Sequence, residues 1–164
     1  MDTSDIIASS AVIIASIAVG VSIWQGYLQR KHFRLSVKPN ISVHSDHTSE
    51  EEVIFTMRSN GLGPAIIKSF AIEVDGKQVP SQGDGLMKNA LIGIGIDVIG
   101  DAKCKHFLPS IDDVYGPGED LMLLDITYDP ESRENIKEAI SRLKFSINYS
   151  SIYQNDEHTF YGNC

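Results

Sequence analysis

Hydrophobic and polar positions are distributed unevenly along this chain. From Ile6 to Trp24, nineteen consecutive residues carry no charge, whereas the rest of the chain mixes apolar and polar residues in short runs. At about 1.5 Å per residue, a helix of that length measures roughly 28 Å, close to the hydrocarbon thickness of about 30 Å of a bilayer. All its faces would be apolar or small, which is untypical of a soluble core helix. The pattern predicts a transmembrane helix over residues 6–27, after a short outer N-terminus of residues 1–5.

A cleaved signal peptide is the main alternative for this segment. Ala18 and Gly20 offer a small-x-small match to a cleavage site. The start, however, carries Asp2 and Asp5 and no basic residue, and the apolar run is longer than most signal cores. These features favour a retained anchor.

A basic juxtamembrane segment, residues 28–34, follows the predicted span. It carries Arg30, Lys31 and Arg34, while Trp24 and Tyr27 lie where an interfacial aromatic belt is expected. Because basic residues flanking a span favour the cytoplasmic side, we expect the N-terminus outside and the large domain in the cytosol, at the inner (cytoplasmic) membrane. The lipid bilayer is then a partner, and the basic cluster would contact anionic headgroups.

One seam of the predicted span carries small side chains at intervals of three and four residues. Small side chains let two helices approach closely in lipid. Self-association, or pairing with another span, is therefore one interpretation, and the general abundance of small residues in membrane helices is the other. The seam consists of Ala8, Ala11, Ala15, Ala18 and Ser22.

The predicted cytosolic domain, residues 35–164, is acidic. The first 34 residues hold three of the 14 basic and two of the 22 acidic residues, which leaves the domain with 11 basic and 20 acidic residues and a charge of −9. Such a domain disfavours nucleic acid as a partner. Two cysteines, Cys104 and Cys164, would lie in a reducing compartment, where free thiols are expected.

Short alternating runs predict about seven strands, and turn residues separate them. Asp75-Gly76 indicates a two-residue hairpin turn, and Asn60, Gly61, Gly63 and Pro64 form a concentrated turn signal. The predicted strands are Leu35–Val43, Val53–Ser59, Ile66–Val74, Lys103–Leu108, Leu121–Tyr128, Phe145–Tyr149 and His158–Tyr161, the last after a turn at Gln154-Asn155-Asp156.

Two short helices complete the prediction. One is expected around Leu86–Leu91, and the other starts with Asp129 as cap and Pro130 in the first turn. The apolar face of the second helix consists of Ile136, Ala139, Ile140 and Leu143, and its polar side pairs Glu134 with Lys137 and Glu138 with Arg142. The fold class is mainly β: an antiparallel immunoglobulin-like sandwich, with a small closed barrel as the second possibility.

Two short motifs carry a resemblance to a known group of proteins. They are the stretch from Asn60 to Ala65 and the late Asn148-Tyr149-Ser150-Ser151-Ile152-Tyr153, with the span and the basic juncture before them. In these features the chain resembles uncharacterised bacterial membrane-anchored β-sandwich proteins. Members of that group often have Asp-Ile-Phe-Gly at the second motif, where this chain has Ser151-Ile152-Tyr153-Gln154. The resemblance implies the fold and the anchor, and no activity.

Residues with potential chemistry are present but do not form a complete constellation. His44 and His47, with Asp46 and Glu50–Glu52, include metal-ligand types, but their spacing favours a solvated acidic loop. Cys104 and His106 would share one face of a strand, without a third group to orient them. Gly61-Leu62-Gly63 and Gly93-Ile94-Gly95 are interpreted as turns, and Asp112 and Asp113 as a surface pair. The aromatic residues of the last hairpin are interpreted as hairpin packing or, alternatively, as a binding patch. They are Tyr149, Tyr153, Phe160 and Tyr161.

We therefore expect no catalytic, metal or cofactor site. The leading hypothesis is a non-enzymatic, membrane-anchored interaction module that recruits a protein partner, and an exposed strand edge is one route for this. The alternatives are a ligand-sensing effector that forms homo-oligomers through its span, with phage defence as one such role, and an enzyme of unknown class. The sequence does not identify a small-molecule ligand.

Overall fold

The computed structural model describes residues 2–80, 83–96, 102–153 and 157–163. The chain forms two compact units, Met1–Ser36 and Val37–Cys164. The first unit contains one helix, and the second, the β domain, contains the strands and the two short helices. Two features of the sequence analysis, the turn Gln154-Asn155-Asp156 and Cys164, lie outside the described residues.

The first unit contains helix α1, Thr3–Ser36. Its segment Thr3–Phe33 is long and apolar enough to cross a membrane. The helix continues unbroken through the basic segment and includes Leu35, so the strand predicted from Leu35 begins six residues later. With 34 residues at about 1.5 Å each, α1 is roughly 51 Å long and exceeds a hydrocarbon core of about 30 Å.

The β domain is built from antiparallel strands in two sheets, which confirms the mainly β prediction. The four-stranded sheet has the order β1-β2-β7-β5, and the second sheet has the order β4-β3-β8-β9 with β6 also pairing with β3. In the described part of the chain the strands are β1 Ile41–Asp46, β2 Glu52–Ser59, β3 Ala65–Val74, β4 Lys77–Gln78, β5 Ala102–His106, β6 Val114–Tyr115, β7 Asp120–Tyr128, β8 Leu143–Ser151 and β9 Glu157–Asn163.

One hydrophobic core joins the inner faces of both sheets. On β2 the alternate residues Val53, Phe55 and Met57 are buried, and on β8 the alternation includes Phe145 and Ile147. The rings of Phe55 and Phe145 lie 6.0 Å apart between centroids, so the two sheets touch through them. Each such side chain contributes about 1.5–3 kcal/mol on burial, and the alternation of period two fixes which face of each strand points inward.

Two short helices pack on the same core. Helix α2, Asp84–Gly93, contains the segment predicted around Leu86–Leu91 and buries four apolar side chains. Helix α3, Arg133–Ser141, follows a 3₁₀ turn at Pro130–Ser132. The buried residues of α2 are Leu86, Met87, Ala90 and Leu91.

The last part of the predicted second helix is a strand instead. Ile136 and Ile140 are buried as predicted, but α3 ends at Ser141 and Leu143 opens β8. Arg142, at the junction, donates from its Nε to Asp75 Oδ1 at 2.8 Å rather than pairing with Glu138. The ion pair with Asp75, which is distant in sequence, therefore replaces the pair with Glu138 that the helical spacing predicts.

The hairpin turn at Asp75-Gly76 is confirmed. Asp75 has a φ of 52° and Gly76 a φ of 74°, so both central residues are left-handed. This conformation belongs to a type I′ turn, which matches the twist of the flanking strands β3 and β4. Arg142 holds the Asp75 carboxylate and lowers its pKa through these hydrogen bonds.

The predicted glycine turn between β2 and β3 lets two chain segments pack closely together. Neither Gly61 nor Gly63 has a positive φ. A Cβ at Gly63 would lie 1.9 Å from the carbonyl oxygen of Val37, and one at Gly61 would lie 2.4 Å from the amide nitrogen of Asn40. Asn60 also donates its N–H to the carbonyl of Asn40 at 2.7 Å. The turn therefore packs closely against Val37–Asn40, the segment that follows α1.

We predict that Gly63→Ala destabilises the β domain by about 3 kcal/mol, because backbone must move to admit the methyl group. Chemical unfolding of the purified protein in mild detergent measures the change. Gly93→Ala is the matched control, since its Cβ would meet the Val74 side chain at an ordinary 3.7 Å. An unchanged unfolding midpoint for Gly63→Ala would contradict the close packing of Gly63 against Val37.

Candidate functional site

A groove of about 810 Å³ lies against the outer face of the second sheet. Its floor consists of small and polar side chains that alternate outward on β3 and β8. Its far side includes Leu86 of α2 and Gln78 of β4. The floor residues are Ser69, Ala71, Glu73, Ser146 and Asn148.

A row of hydrogen bonds crosses three strands at the floor of the groove. Asn148 donates from Nδ2 to Ser69 Oγ at 2.8 Å, and Thr159 Oγ1 donates to Asn148 Oδ1 at 2.7 Å. The three residues occupy matched positions in the register of β3, β8 and β9. The row therefore fixes the orientation of the Asn148 amide, while the Ser69 hydroxyl hydrogen remains available as a donor.

A second contact orders the charged end of the floor. Tyr161 donates its hydroxyl to Glu73 Oε2 at 2.6 Å, across β8. The Lys144 Nζ lies 5.4 Å from the centroid of the Tyr161 ring. The hydrogen bond to Glu73 is the main cause of a raised pKa at Tyr161. Glu73 thus carries a negative charge at the rim of the groove, with one oxygen already occupied.

The strap, which we define as residues 107–113, forms the opposite wall. It leaves the four-stranded sheet where Phe107 donates its N–H to Leu123 at 3.2 Å. It reaches the second sheet where Asp112 donates its N–H to Ile67 at 2.8 Å and pairs with Lys68 Nζ at 3.0 Å. Both ends are therefore fixed to strands, one in each sheet.

The strap presents apolar side chains beside the polar floor. Phe107 is 64% exposed and Ile111 is 70% exposed, although both line the groove. Large apolar side chains left in water beside convergent polar groups are typical of binding surfaces. The arrangement suits a ligand with an apolar side chain and with polar groups that point to the floor.

The described residues leave part of the β3 edge unpaired where it borders the groove. Ile72 accepts from the N–H of Val79 at 2.9 Å, on the side of β3 that faces away from β8. Because alternate residues of an antiparallel strand direct their backbone groups to the same side, Phe70 also directs its N–H and C=O away from β8. Within the described residues, β4 and β6 leave Lys68–Ala71 unpaired on that side. This opening is about 13 Å long at about 3.3 Å per residue.

Cys104 and His106 have separate environments. Cys104 packs against the core, and burial, followed by the charge of Asp125, raises the pKa of its thiol. A raised pKa keeps the thiol protonated and opposes nucleophilic chemistry. His106 instead lines the groove near the start of the strap.

The histidines of the acidic loop have local partners. His44 Nε2 lies 2.9 Å from Ser42 Oγ, and the His47 ring meets Phe55 edge-on at 6.4 Å. Asp46 accepts from the N–H of Thr48 at 2.9 Å. In the described ranges there is no group of three or more His, Cys, Asp or Glu side chains positioned to hold a metal ion.

The other sequence candidates have structural positions. Gly93-Ile94-Gly95 lies at the end of α2, and Asp112 and Asp113 anchor the strap. Asp113 accepts from the N–H of Ser110 at 2.7 Å. The small-residue seam lies on exposed α1, as do Arg30 and Lys31, and the backbone of Arg34 continues the same helix.

The four late aromatic residues divide between core and surface. Tyr149 is buried and its ring lies 5.6 Å from that of His158, while Phe160 packs against the core. Tyr161 lies on the outer face, next to Ser146 in the register of β8 and β9, and Tyr153 is exposed. Apart from Asp112 and Asp113, the residues of the strap and the floor are not among the sequence candidates. The alternation of β3 and β8 indicated outward polar positions, but it did not indicate that residues 107–111 would face them.

The sequence matches no protein-family model and no curated protein. Function must therefore be argued from the groove and from α1.

We predict that the stability of the β domain depends on pH through Tyr115, which lies just after the strap. Burial, followed by the charge of Asp113, raises the pKa of Tyr115 from 10.0 to about 12. Tyr115 ionises at a lower pH in the unfolded chain than in the folded one. Its contribution to the free energy of unfolding is therefore complete below about pH 10 and is lost as pH rises toward 12. Chemical unfolding between pH 9 and 11.5 should show a smaller decline for Tyr115→Phe than for the natural chain. Equal declines would contradict the assignment.

Proposed function

We propose that this protein is a non-enzymatic, membrane-anchored interaction module that binds an extended segment of a protein partner in its groove. The observation that carries the proposal is the groove itself, where an open stretch of the β3 edge meets a polar floor and an apolar wall. A peptide backbone can add to the open edge through Phe70, and its side chains can reach the strap or the floor.

The length of the opening limits the segment that binds. Lys68–Ala71, which the described strands leave unpaired, accommodate about four residues of an added strand. Phe107 and Ile111 favour an apolar side chain, whereas Ser69, with its free hydroxyl hydrogen, favours a carbonyl or another acceptor. Glu73 and the domain charge of −9 favour a partner with basic residues.

We place the module at the cytoplasmic membrane, with a single pass, the N-terminus outside and the β domain in the cytosol. The support is the length and apolarity of α1, together with basic residues on one side of the span. The basic cluster would interact with anionic headgroups, with Arg30 about 9 Å beyond Trp24 along the helix.

We further propose that the fold is an immunoglobulin-like sandwich. The strand order β1-β2-β7-β5 opposite β4-β3-β8-β9 corresponds to the order A-B-E-D opposite C′-C-F-G in such domains. In that correspondence the groove lies beside the C strand, and the span precedes the A strand.

A ligand-sensing effector that assembles through its span is the second candidate. Its support is the seam, whose one hydroxyl, Ser22 Oγ, donates to the Ala18 carbonyl at 2.8 Å. This hydroxyl is satisfied within the helix and therefore allows close packing. Assembly that requires a small ligand would distinguish this candidate from the interaction module.

The groove predicts a site-specific crosslink. A photoreactive residue at Phe107, in the full chain in native membranes, should capture a discrete partner, whereas the same residue at Thr127 on the other sheet should not. Ala71→Gln should reduce the Phe107 crosslink at least tenfold, because the longer side chain fills the floor. Thr127→Gln is the control variant, and equal thermal unfolding of both variants verifies the fold.

Two results would contradict the proposed function. One is the same captured band from Phe107 and from Thr127, which would indicate non-specific proximity. The other is a Phe107 crosslink that Ala71→Gln leaves unchanged.

A further inference from the structure

A second cavity, which we call the edge pocket, lies between the segment before β1 and the hairpin of β8 and β9. It has a volume of about 470 Å³. Cavities of about 300–1,000 Å³ are typical of small-molecule sites. One side includes Lys38, Asn60 and Leu62, and the other side includes Tyr149 and His158. Among the described residues that line the edge pocket and the groove, none is shared.

The glycine turn fixes the position of Lys38 in the edge pocket. A Cβ at Gly61 would lie 2.6 Å from the carbonyl oxygen of Lys38, so the two backbones are in close contact. The carbonyl of Asn40 accepts from the N–H groups of Asn60 and Gly61, at 2.7 and 3.2 Å. The backbone that carries Lys38 is therefore held on both sides.

The charge of the edge pocket is opposite to that of the β domain. Residues 35–164 carry 20 acidic and 11 basic residues, yet no Asp or Glu is among the described residues that line the edge pocket. None of the ion pairs in the described part of the chain includes Lys38. An unpaired ammonium group in a cavity without carboxylates attracts an anion and disfavours a cation.

Two further hydrogen-bond donors belong to the residues that line the edge pocket. Asn60 donates from Nδ2 to Ser42 Oγ at 2.6 Å, which leaves the second hydrogen of the same amide group for a ligand. His158 Nε2 is buried and has no hydrogen-bond partner among the described residues. A proton on Nε2 would be a buried donor without an acceptor, which favours the tautomer with its proton on Nδ1. The lining thus supplies an ammonium group, an amide N–H and an imidazole N–H.

We propose that the edge pocket binds a phosphate monoester that carries a small apolar group. The phosphate offers three acceptor oxygens for the three donors, and its negative charge complements Lys38. The cavity is larger than a phosphate group alone requires. Leu62, which is 76% exposed, and the Tyr149 ring provide apolar surface for the rest of the ligand. A soluble ester and a lipid headgroup can supply the same phosphate chemistry. The inference goes beyond the proposed function and does not depend on the groove.

Histidine-ring NMR of the full-length protein in phosphatidylcholine nanodiscs tests the inference, with phenyl phosphate as the probe. Phenyl phosphate should shift the His158 signal in a saturable manner and leave the signal of His106, in the groove, unchanged. Benzoate and inorganic phosphate should each bind at least tenfold more weakly, because benzoate lacks the phosphate and inorganic phosphate lacks the apolar ring. Benzyltrimethylammonium should not bind, because its charge is positive.

Two pairs of variants locate the binding site. Lys38→Met should raise the dissociation constant for phenyl phosphate at least tenfold. Lys88→Met, at an exposed position on α2, removes the same charge and should leave the constant unchanged. Leu62→Glu should also raise the constant at least tenfold through charge repulsion, whereas Leu62→Gln, with a side chain of similar size and no charge, should raise it no more than threefold. Thermal unfolding verifies the fold of each variant. Ala71→Gln should not affect phenyl phosphate binding, so failure here is distinguishable from failure of the groove.

Phosphatidic acid in the nanodiscs distinguishes a lipid headgroup from a soluble ester. A His158 signal that this lipid shifts, and that Lys38→Met restores, would assign the phosphate to the headgroup. A signal that only phenyl phosphate shifts would assign it to a soluble ester. An unshifted His158 signal with both phosphate sources would overturn the inference. Equal affinity for benzoate, or binding that Lys38→Met and Lys88→Met weaken equally, would overturn it as well.

Discussion

The uncovered apolar surface of α1 is the constraint on which the rest of the structure depends. Nineteen uncharged residues form a helix with apolar or small side chains on all faces, and the hydrophobic effect favours their burial in lipid. The same helix runs unbroken to Ser36 and passes directly into Val37–Asn40, which the glycine turn holds. Gly61 and Gly63 therefore fix the path by which the chain enters the β domain.

The β domain combines a conventional core with one unusual surface. Its two sheets bury alternate side chains around Phe55 and Phe145, and its two helices add Met87 and Ile140 to the same core. The strap then crosses from one sheet to the other and leaves Phe107 and Ile111 exposed beside a polar floor. Such exposure costs stability unless a partner covers these side chains, so the groove is the part of the domain that calls for a functional explanation.

Periodicity and turn chemistry predicted much of the fold, while long-range contacts determined the rest. The strands around Phe55, Phe145 and the Asp75-Gly76 turn follow from local patterns, and so does the buried face at Ile136. The short strands β4 and β6 carry too few residues for a periodic signal. The roles of Gly61 and of the strap depend on segments distant in sequence, which no local pattern identifies. The groove was unpredictable for the same reason, since its floor lies on the second sheet and its wall is the strap.

Membrane integration and sidedness decide whether α1 spans a membrane with the β domain in the cytosol. Membranes that contain the full-length protein can be washed in alkaline carbonate and then, as sealed vesicles of either orientation, treated with protease. We predict that the protein stays with the membrane and that the β domain is cleaved only when the cytosolic face is exposed. Release into the carbonate supernatant, or cleavage of the β domain from the outer face, would contradict it.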